Sequence, residues 1–430
     1  MLRITSAILL SLTSLSCAQE PPQILNDLSD YKLTPAPASS VTLKKGDRLA
    51  LCGDSITEQK MYSVLVETYL TACLPELGIT CRQYGWSGEQ AGGFLARMDN
   101  DVLRFKPTVA TSCYGMNDFR YVPFDPAIAG EYRDNQTKIA RKFKAAGTRY
   151  VIGSSGIIDS VPDWVKSAKG TKKELNLALS RFRNIALEVA RSEGVGFADV
   201  YSPALNADFE AKKNFGAAFQ VSGKDGVHPG WAGHAIMAYA FLKSLGVDGD
   251  LGSITFDSAA GTATAAGGHE VLSTANGKIT VRSTRLPFAP GPGPADSDAS
   301  LRAGMALVPF DADLNCFLLK VSNPKAQSYK VTWGAESKTF TAADLKNGIN
   351  LAAEFHNNPL VAPFQAIQTA VTAKQAFETE QIKSLVHGDA GKADMEGTFE
   401  STEKERAKLM ENITGTIRPA EHTIGIEPAA

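Results

Sequence analysis

The chain reads as an α/β protein: a parallel sheet with helices on both faces, followed by a smaller β-rich domain that carries a helical hairpin. Three observations predict this. Between about residues 45 and 247, short apolar runs alternate with segments of helical periodicity, the pattern of a parallel sheet with crossover helices. The polar residues able to do chemistry fall in loops that follow the strands, where ligand sites of such sheets lie. After about Val247 the composition changes to short strand-like runs separated by turns.

In chain order, the first 18 residues read as a leader. Arg3 supplies a positive start, Ile4 to Leu15 an apolar stretch and Ser16-Cys17-Ala18 a small-residue exit, which predicts export. Cleavage after Ala18 is one outcome and lipidation of Cys17 the other, with no transmembrane span in either case. Residues 19–44, with Pro21, Pro22, Pro35 and Pro37, form an extended lead-in. The 430 residues allow roughly two or three domains. With 44 basic against 46 acidic side chains and no basic stripe, nucleic acid is not an expected partner. Six cysteines are few for an exported chain of this size, so a disulfide scaffold is not expected. Cys73 and Cys81 bracket a helix end and a strand start, where a disulfide would fit. Cys52 and Cys113 read as buried thiols, and Cys316 as a strand residue with no obvious partner. No metal-ligand spacing occurs among the Cys and His residues, and no cofactor is expected.

The first strand runs through Gly46-Asp47-Arg48-Leu49-Ala50-Leu51 into Cys52-Gly53-Asp54-Ser55. Tyr62, Leu65, Val66, Tyr69 and Leu70 then repeat at helical spacing. Ser55 therefore sits on a strand-to-helix turn, which lifts a hydroxyl off the sheet edge and aims backbone N–H groups at whatever it attacks. A second strand, Ile79 to Tyr84, leads into the turn-rich loop Gly85 to Gly93 and a helix from about Phe94 to Phe105. The third strand, Val109 to Tyr114, ends in Gly115-Met116-Asn117-Asp118, followed by a helix from about Ile128 to Ala146. Arg149 to Gly153 is a fourth strand, Lys173 to Ser192 a helix and Gly196 to Val200 a fifth strand. Asp225-Gly226-Val227-His228-Pro229 precedes a final helix from Trp231 to about Leu245, with Pro229 suited to a helix start.

Four of these loops together supply what acyl transfer needs. Ser55 is the nucleophile candidate, His228 the base and Asp225 the acid that fixes the imidazole tautomer. The backbone N–H groups of Ser55 and Gly88 and the side-chain amide of Asn117 are the oxyanion donors. Singly, each has a plainer role: a capping serine, a structural histidine, a glycine needed for conformation, an asparagine stitching a turn. Together, in this order and each after a strand, they favour catalysis.

These four blocks resemble the GDSL or SGNH serine hydrolases. Gly53-Asp54-Ser55-Ile56 is similar to the family's first block, with isoleucine in place of leucine. Ser87-Gly88 resembles the second block, Gly115-Met116-Asn117-Asp118 the third and Asp225-Gly226-Val227-His228 the last. The resemblance covers about residues 45 to 247. It implies a flavodoxin-like three-layer fold, a Ser-His-Asp triad, and ester hydrolysis without a metal.

In the last third, residues 250–430, short strands are expected at Ile254 to Phe256, Gly277 to Leu286, Ala306 to Val308, Asn315 to Ser322 and Tyr329 to Thr341, in a sandwich or jelly roll. Helical segments span about 363–412, and His422 to Ile426 returns as a strand. For Trp333, core packing is the default over sugar stacking. For Asp311, Asp313 and Asn315, a solvated turn is the default over a calcium site. The resulting expectation is an exported serine esterase acting on short acyl groups, acetyl above all, on a carbohydrate. Asp54, Trp86, Tyr114, Phe119 and Tyr121 are the candidate substrate contacts, with core packing the default for each aromatic ring. The alternatives are a lipase, phospholipase or thioesterase on the same scaffold, and a non-catalytic glycan-binding protein.

Overall fold

A computed structural model describes residues 29–37, 41–291 and 293–429. The leader, its cleavage site and Cys17 lie outside these residues. Strands β1 (Arg48–Gly53), β2 (Thr80–Gly85), β3 (Val109–Cys113), β4 (Arg149–Gly153) and β5 (Gly196–Ala198) form one parallel sheet in the order β2-β1-β3-β4-β5. This is the flavodoxin-like order, whose switch point lies between β1 and β3. The register aligns the carboxyl ends in a single row of Gly85, Gly53, Cys113, Gly153 and Ala198. The central strands are buried because helices cover both faces: every residue of β3 is buried, Thr111 and Ser112 included.

Helices Tyr62–Ala72, Ala91–Asp101, Pro126–Ala145, Lys172–Glu193 and Trp231–Ser244 lie close to the expected spans. The helix Tyr201–Phe215 was not expected from the sequence. It begins at the end of the fifth strand, which is correspondingly shorter than expected. Cys73 and Cys81 do not pair: both are free thiols, each buried by its own packing, as are Cys52 and Cys113. Among the described residues no helix is long and apolar enough to cross a membrane.

The second domain contains two sheets. Strands β6 (Asp250–Asp257), β7 (Thr262–Ala266), β8 (His269–Ala275), β9 (Lys278–Ser283), β10 (Cys316–Ser322), β11 (Ser328–Trp333), β12 (Glu336–Thr341), β13 (Ile349–Asn350) and β14 (Ala420–Pro428) assemble as β13-β10-β6-β7 and β12-β11-β14-β9-β8. Alternate residues of β10, Phe317, Leu319 and Val321, are buried. Phe317 stacks on His269 at 4.3 Å and meets the Trp333 ring at 5.8 Å, so the two sheets face each other as a sandwich. A jelly roll is ruled out by the parallel pairing of β10 with β6.

Two sequence expectations fail here. Ala306 to Val308 is not a strand but the last residue of the helix Leu301–Ala306 and the turn that follows it, since a three-residue apolar run has no period to separate helix from strand. Asn315 is neither a calcium ligand nor part of a solvated turn. It is fully buried and pins Phe288, accepting from its amide at 2.8 Å and donating to its carbonyl at 3.1 Å.

Helix Val361–Thr379 continues into a π-helix, Glu380–Val386, and packs with helix Met395–Thr416. This pair covers β2, the edge strand of the first sheet. Lys374, fully buried, bonds the Cys81 carbonyl at 2.6 Å and ion-pairs with Glu67 at 2.8 Å and Glu378 at 3.0 Å. Glu378 accepts from the Gln83 amide at 3.0 Å, and Arg406 from the second helix also reaches Cys81 O, at 2.9 Å. Charged side chains thus satisfy an edge that would otherwise be open to strand pairing.

Candidate active site

Ser55 opens a four-residue helix, Ser55–Glu58, directly after β1. Asp54 caps it, its Oδ1 accepting from the Ile56 amide at 3.0 Å. The turn is tight enough to require glycine on two strands. A Cβ on Gly53 would lie 2.0 Å from Thr57 Oγ1, and one on Gly85 would lie 2.2 Å from the Glu58 amide nitrogen. Beneath the turn, His234 accepts from the Tyr62 amide at 3.2 Å, so its other nitrogen donates to Gln59 Oε1 at 2.9 Å. Burial, helped by His228, holds this imidazole neutral, with its pKa down at about 3.

The last loop brings His228 onto Ser55: Nε2 lies 2.8 Å from Ser55 Oγ, and Nδ1 lies 2.6 Å from Asp225 Oδ2. A carboxylate only accepts, so Nδ1 carries the proton and Nε2 presents a lone pair to the serine hydroxyl. Asp225 Oδ1 also accepts from the amides of Val227 at 2.9 Å and His228 at 2.8 Å. Burial alone would raise the Asp225 pKa, but these bonds outweigh it and hold the group below the usual carboxylate range. Asp159 anchors the same loop, donating its amide to Gly226 O at 2.9 Å and accepting from the Ser222 amide at 2.7 Å.

Asn117 follows β3. Its Nδ2 lies 3.1 Å from Glu89 O and 3.4 Å from Asp54 Oδ2. Its loop is stitched to the neighbouring one by Asp118, which accepts from the Gly115 and Ala91 amides, each at 2.9 Å. Burial pushes the Asp118 carboxyl up to about 6. Asp54 rises to about 7, mainly through burial and further through the charges of Asp118 and Glu89. Gly88 stands exposed at φ +74°, in the left-handed region that glycine enters without strain.

The five candidate substrate contacts divide. Tyr114 and Phe119 are in the core, at 0% and 1% exposure, and offer no free ring face. The Tyr114 hydroxyl is occupied with Glu89, at 2.7 Å. Tyr121 is also buried, its hydroxyl 3.5 Å from Asn117 Oδ1. Asp54 is buried within the turn that it caps. Trp86 alone keeps part of its ring in solvent, at the edge of a shallow groove of about 360 Å³ lined also by Ser87, Gly88 and Glu89. The exposed ring beside His228 belongs to a residue that the sequence reading passed over. Trp164 is 45% exposed, and its ring lies 5.8 Å from that of His228 and 5.8 Å from that of Tyr121. The available signal was a tryptophan in a loop between a strand end and the next helix.

Three comparisons bear on this geometry. Residues 51–236 match the model of the GDSL-like lipase/acylhydrolase family. An acetylxylan esterase of Geobacillus stearothermophilus is 26% identical over 221 residues, covering 47% of this chain and 95% of that protein. The solved structure of a gut microbial diltiazem-metabolizing enzyme superposes with a TM-score of 0.71 at 23% identity, covering 91% of this chain and all of the other. That likeness extends the shared fold across both domains.

Proposed function

Since residues 51–236 form a GDSL-like lipase/acylhydrolase domain, we propose that the protein is a serine esterase that removes acetyl groups from carbohydrates. The single observation that carries the reading is the chain of contacts from Ser55 Oγ through His228 to Asp225, at 2.8 and 2.6 Å. In the proposed reaction Ser55 Oγ bonds the acyl carbon while its proton passes to Nε2. The alcohol departs with that proton. Water then attacks the acyl-enzyme, gives its proton to Nε2 and releases the acid, and Ser55 recovers its hydroxyl. The carbonyl oxygen, charged in both tetrahedral states, would accept from the amides of Ser55 and Gly88 and from Asn117 Nδ2.

A carbohydrate acetyl ester is supported by the acetylxylan esterase relative and by the exposed Trp164 ring beside the base. The leader read in residues 1–18 supports export and, with it, a substrate outside the cytoplasm. The test is Ser55→Ala, assayed for acetate release from acetylated glycans and over an acyl-length series. Loss of hydrolysis with an unchanged melting temperature is expected. Nearly full activity in the folded variant would sink the mechanism. A kcat/KM rising from acetyl to octanoyl, with no acetate from any glycan, would move the substrate to lipid esters.

A further inference from the structure

The oxyanion loop is held from a point far along the chain. Glu58 closes the short helix that begins with Ser55. Its Oε2 accepts from both the amide and the hydroxyl of Ser87, each at 2.5 Å. Its Oε1 accepts from Lys383 Nζ at 2.6 Å. Lys383 sits in the π-helix Glu380–Val386 of the second domain, and its Nζ also lies 5.4 Å from the centre of the Trp86 ring. The same segment presents His387, which bonds Asp101 at 2.9 Å and meets Trp86 edge-on at 5.1 Å. Groups from the second domain thus meet Trp86 directly and reach Ser87 through Glu58.

We propose that Lys383 is a positioning residue for ester hydrolysis, acting through Glu58 and Ser87 to fix the Gly88 amide toward the oxyanion. The proposal rests on the assignment of Gly88 as a donor in the serine esterase reading. Four features give it force. Gly88 is exposed and φ-permissive, so its own residue type does not fix the N–H direction. A carboxylate bridging two donors of Ser87 constrains that peptide, and the next amide in the chain is that of Gly88. The lysine side chain is only 27% exposed and the glutamate 18%, so the pair is less screened than a surface ion pair. A π-helical stretch, uncommon in helices and frequent at functional sites, supplies the lysine.

The experiment compares the full chain with Lys383→Met, Lys383→Arg, Glu58→Gln and the double variant Lys383→Met/Glu58→Gln. For Lys383→Met, kcat is expected to fall about tenfold, less than the 10²–10³ for deleting a donor outright, with KM within twofold and the melting temperature unchanged. Lys383→Arg restores most of kcat, and the double variant is no worse than the poorer single one, since the residues act in series. Amide exchange supplies a readout independent of turnover: Ser87 and Gly88 exchange at least several-fold faster in Lys383→Met. Unchanged exchange at Ser87 and Gly88, or an unchanged kcat in the folded variant, overturns the proposal. If wild type neither hydrolyses esters nor reacts with a fluorophosphonate at Ser55, the esterase reading falls and the catalytic role of Lys383 with it. Faster exchange would then leave only a structural strut.

Discussion

The two loops that flank Ser55 are held by different means. The acid–base loop is secured close to home: Asp225 accepts from the amides two and three residues on, and Asp159, from the loop after β4, takes the rest. The oxyanion loop is secured by Glu58, itself held by a lysine 325 residues away in sequence. The second domain touches the first of these loops only at its flanks, where Asp298 accepts from the amides of Gln220 at 3.3 Å and Ala232 at 3.1 Å, whereas it reaches the second through the Lys383–Glu58 pair beside Ser87. Damage to the second domain should reach the oxyanion contacts before it reaches the base.

Asn117 gives the largest effect by which to test that division. Its amide contacts Glu89 O and so belongs to the oxyanion side. Asn117→Ala is expected to lower kcat by roughly 10²–10³ with little change in KM, and to leave the pH dependence of kcat intact because His228 and Asp225 are untouched. A shifted pH profile would mean that the two halves are not separate. A large rise in KM at constant kcat would reassign Asn117 to substrate binding.

The same contrast between local and distant support explains what the sequence disclosed. Ser55 and Asn117 follow strands, whereas Asp225 and His228 lie in the loop between the helices Tyr201–Phe215 and Trp231–Ser244; the placement of each rests largely on backbone geometry set by immediate neighbours. Strand ends in a parallel sheet converge on one edge, so order along the chain was enough to bring Ser55 and Asn117 together, while the last block reaches them from the loop after the unexpected helix Tyr201–Phe215. The charges that cap β2, and the Lys383–Glu58 pair, depend on how one domain docks on another, which no local periodicity records. Tyr114 and Phe119 lie in the core, the default for each ring, and only the structure excludes them as substrate contacts, since a ring beside a site loop looks the same in sequence whether it faces solvent or the core. Trp164 was overlooked because its loop has no period at all.

Both domains bury a neutral imidazole, and this extends the comparison to stability. His234 props the Ser55 turn, while His422 lies in the sandwich core, with Trp333 Nε1 at 3.0 Å and Ser283 Oγ at 2.8 Å. Burial, helped by His269, brings the His422 pKa from 6.5 down to about 4. The unfolded chain therefore takes up a proton below about pH 6.5 that the folded chain refuses down to about 4. Stability from this group is complete above the upper value and lost as pH falls to the lower one, a change of about 3 kcal/mol. Urea midpoints at pH 7.5 and 4.5 check it. His422→Gln should be less stable at pH 7.5 yet lose less on acidification, with the part due to His234 remaining. An identical acid loss in the variant would place the titration elsewhere.

The smallest effect concerns Trp164, which lies on the base side yet faces outward. Its ring leans on Tyr121 and approaches His228 at an interplanar angle of 33°. Two roles follow from that placement. The ring supports the imidazole, or it offers its outer face to the sugar that carries the acyl group. The exposure of 45% favours the second, because a ring serving only as a prop gains nothing from a solvent face. Stacking of this kind contributes about 0.5–1.5 kcal/mol, so Trp164→Ala should raise KM for acetylated oligosaccharides by roughly threefold to tenfold. For methyl acetate, which has no ring to stack, kcat/KM should stay within twofold. Trp164→Phe should recover most of the loss, since it restores an aromatic face. An equal fall on both substrates, carried by kcat, would make Trp164 a support for His228 and leave the sugar to be recognised elsewhere, with the partly exposed Trp86 ring across the site as the next candidate.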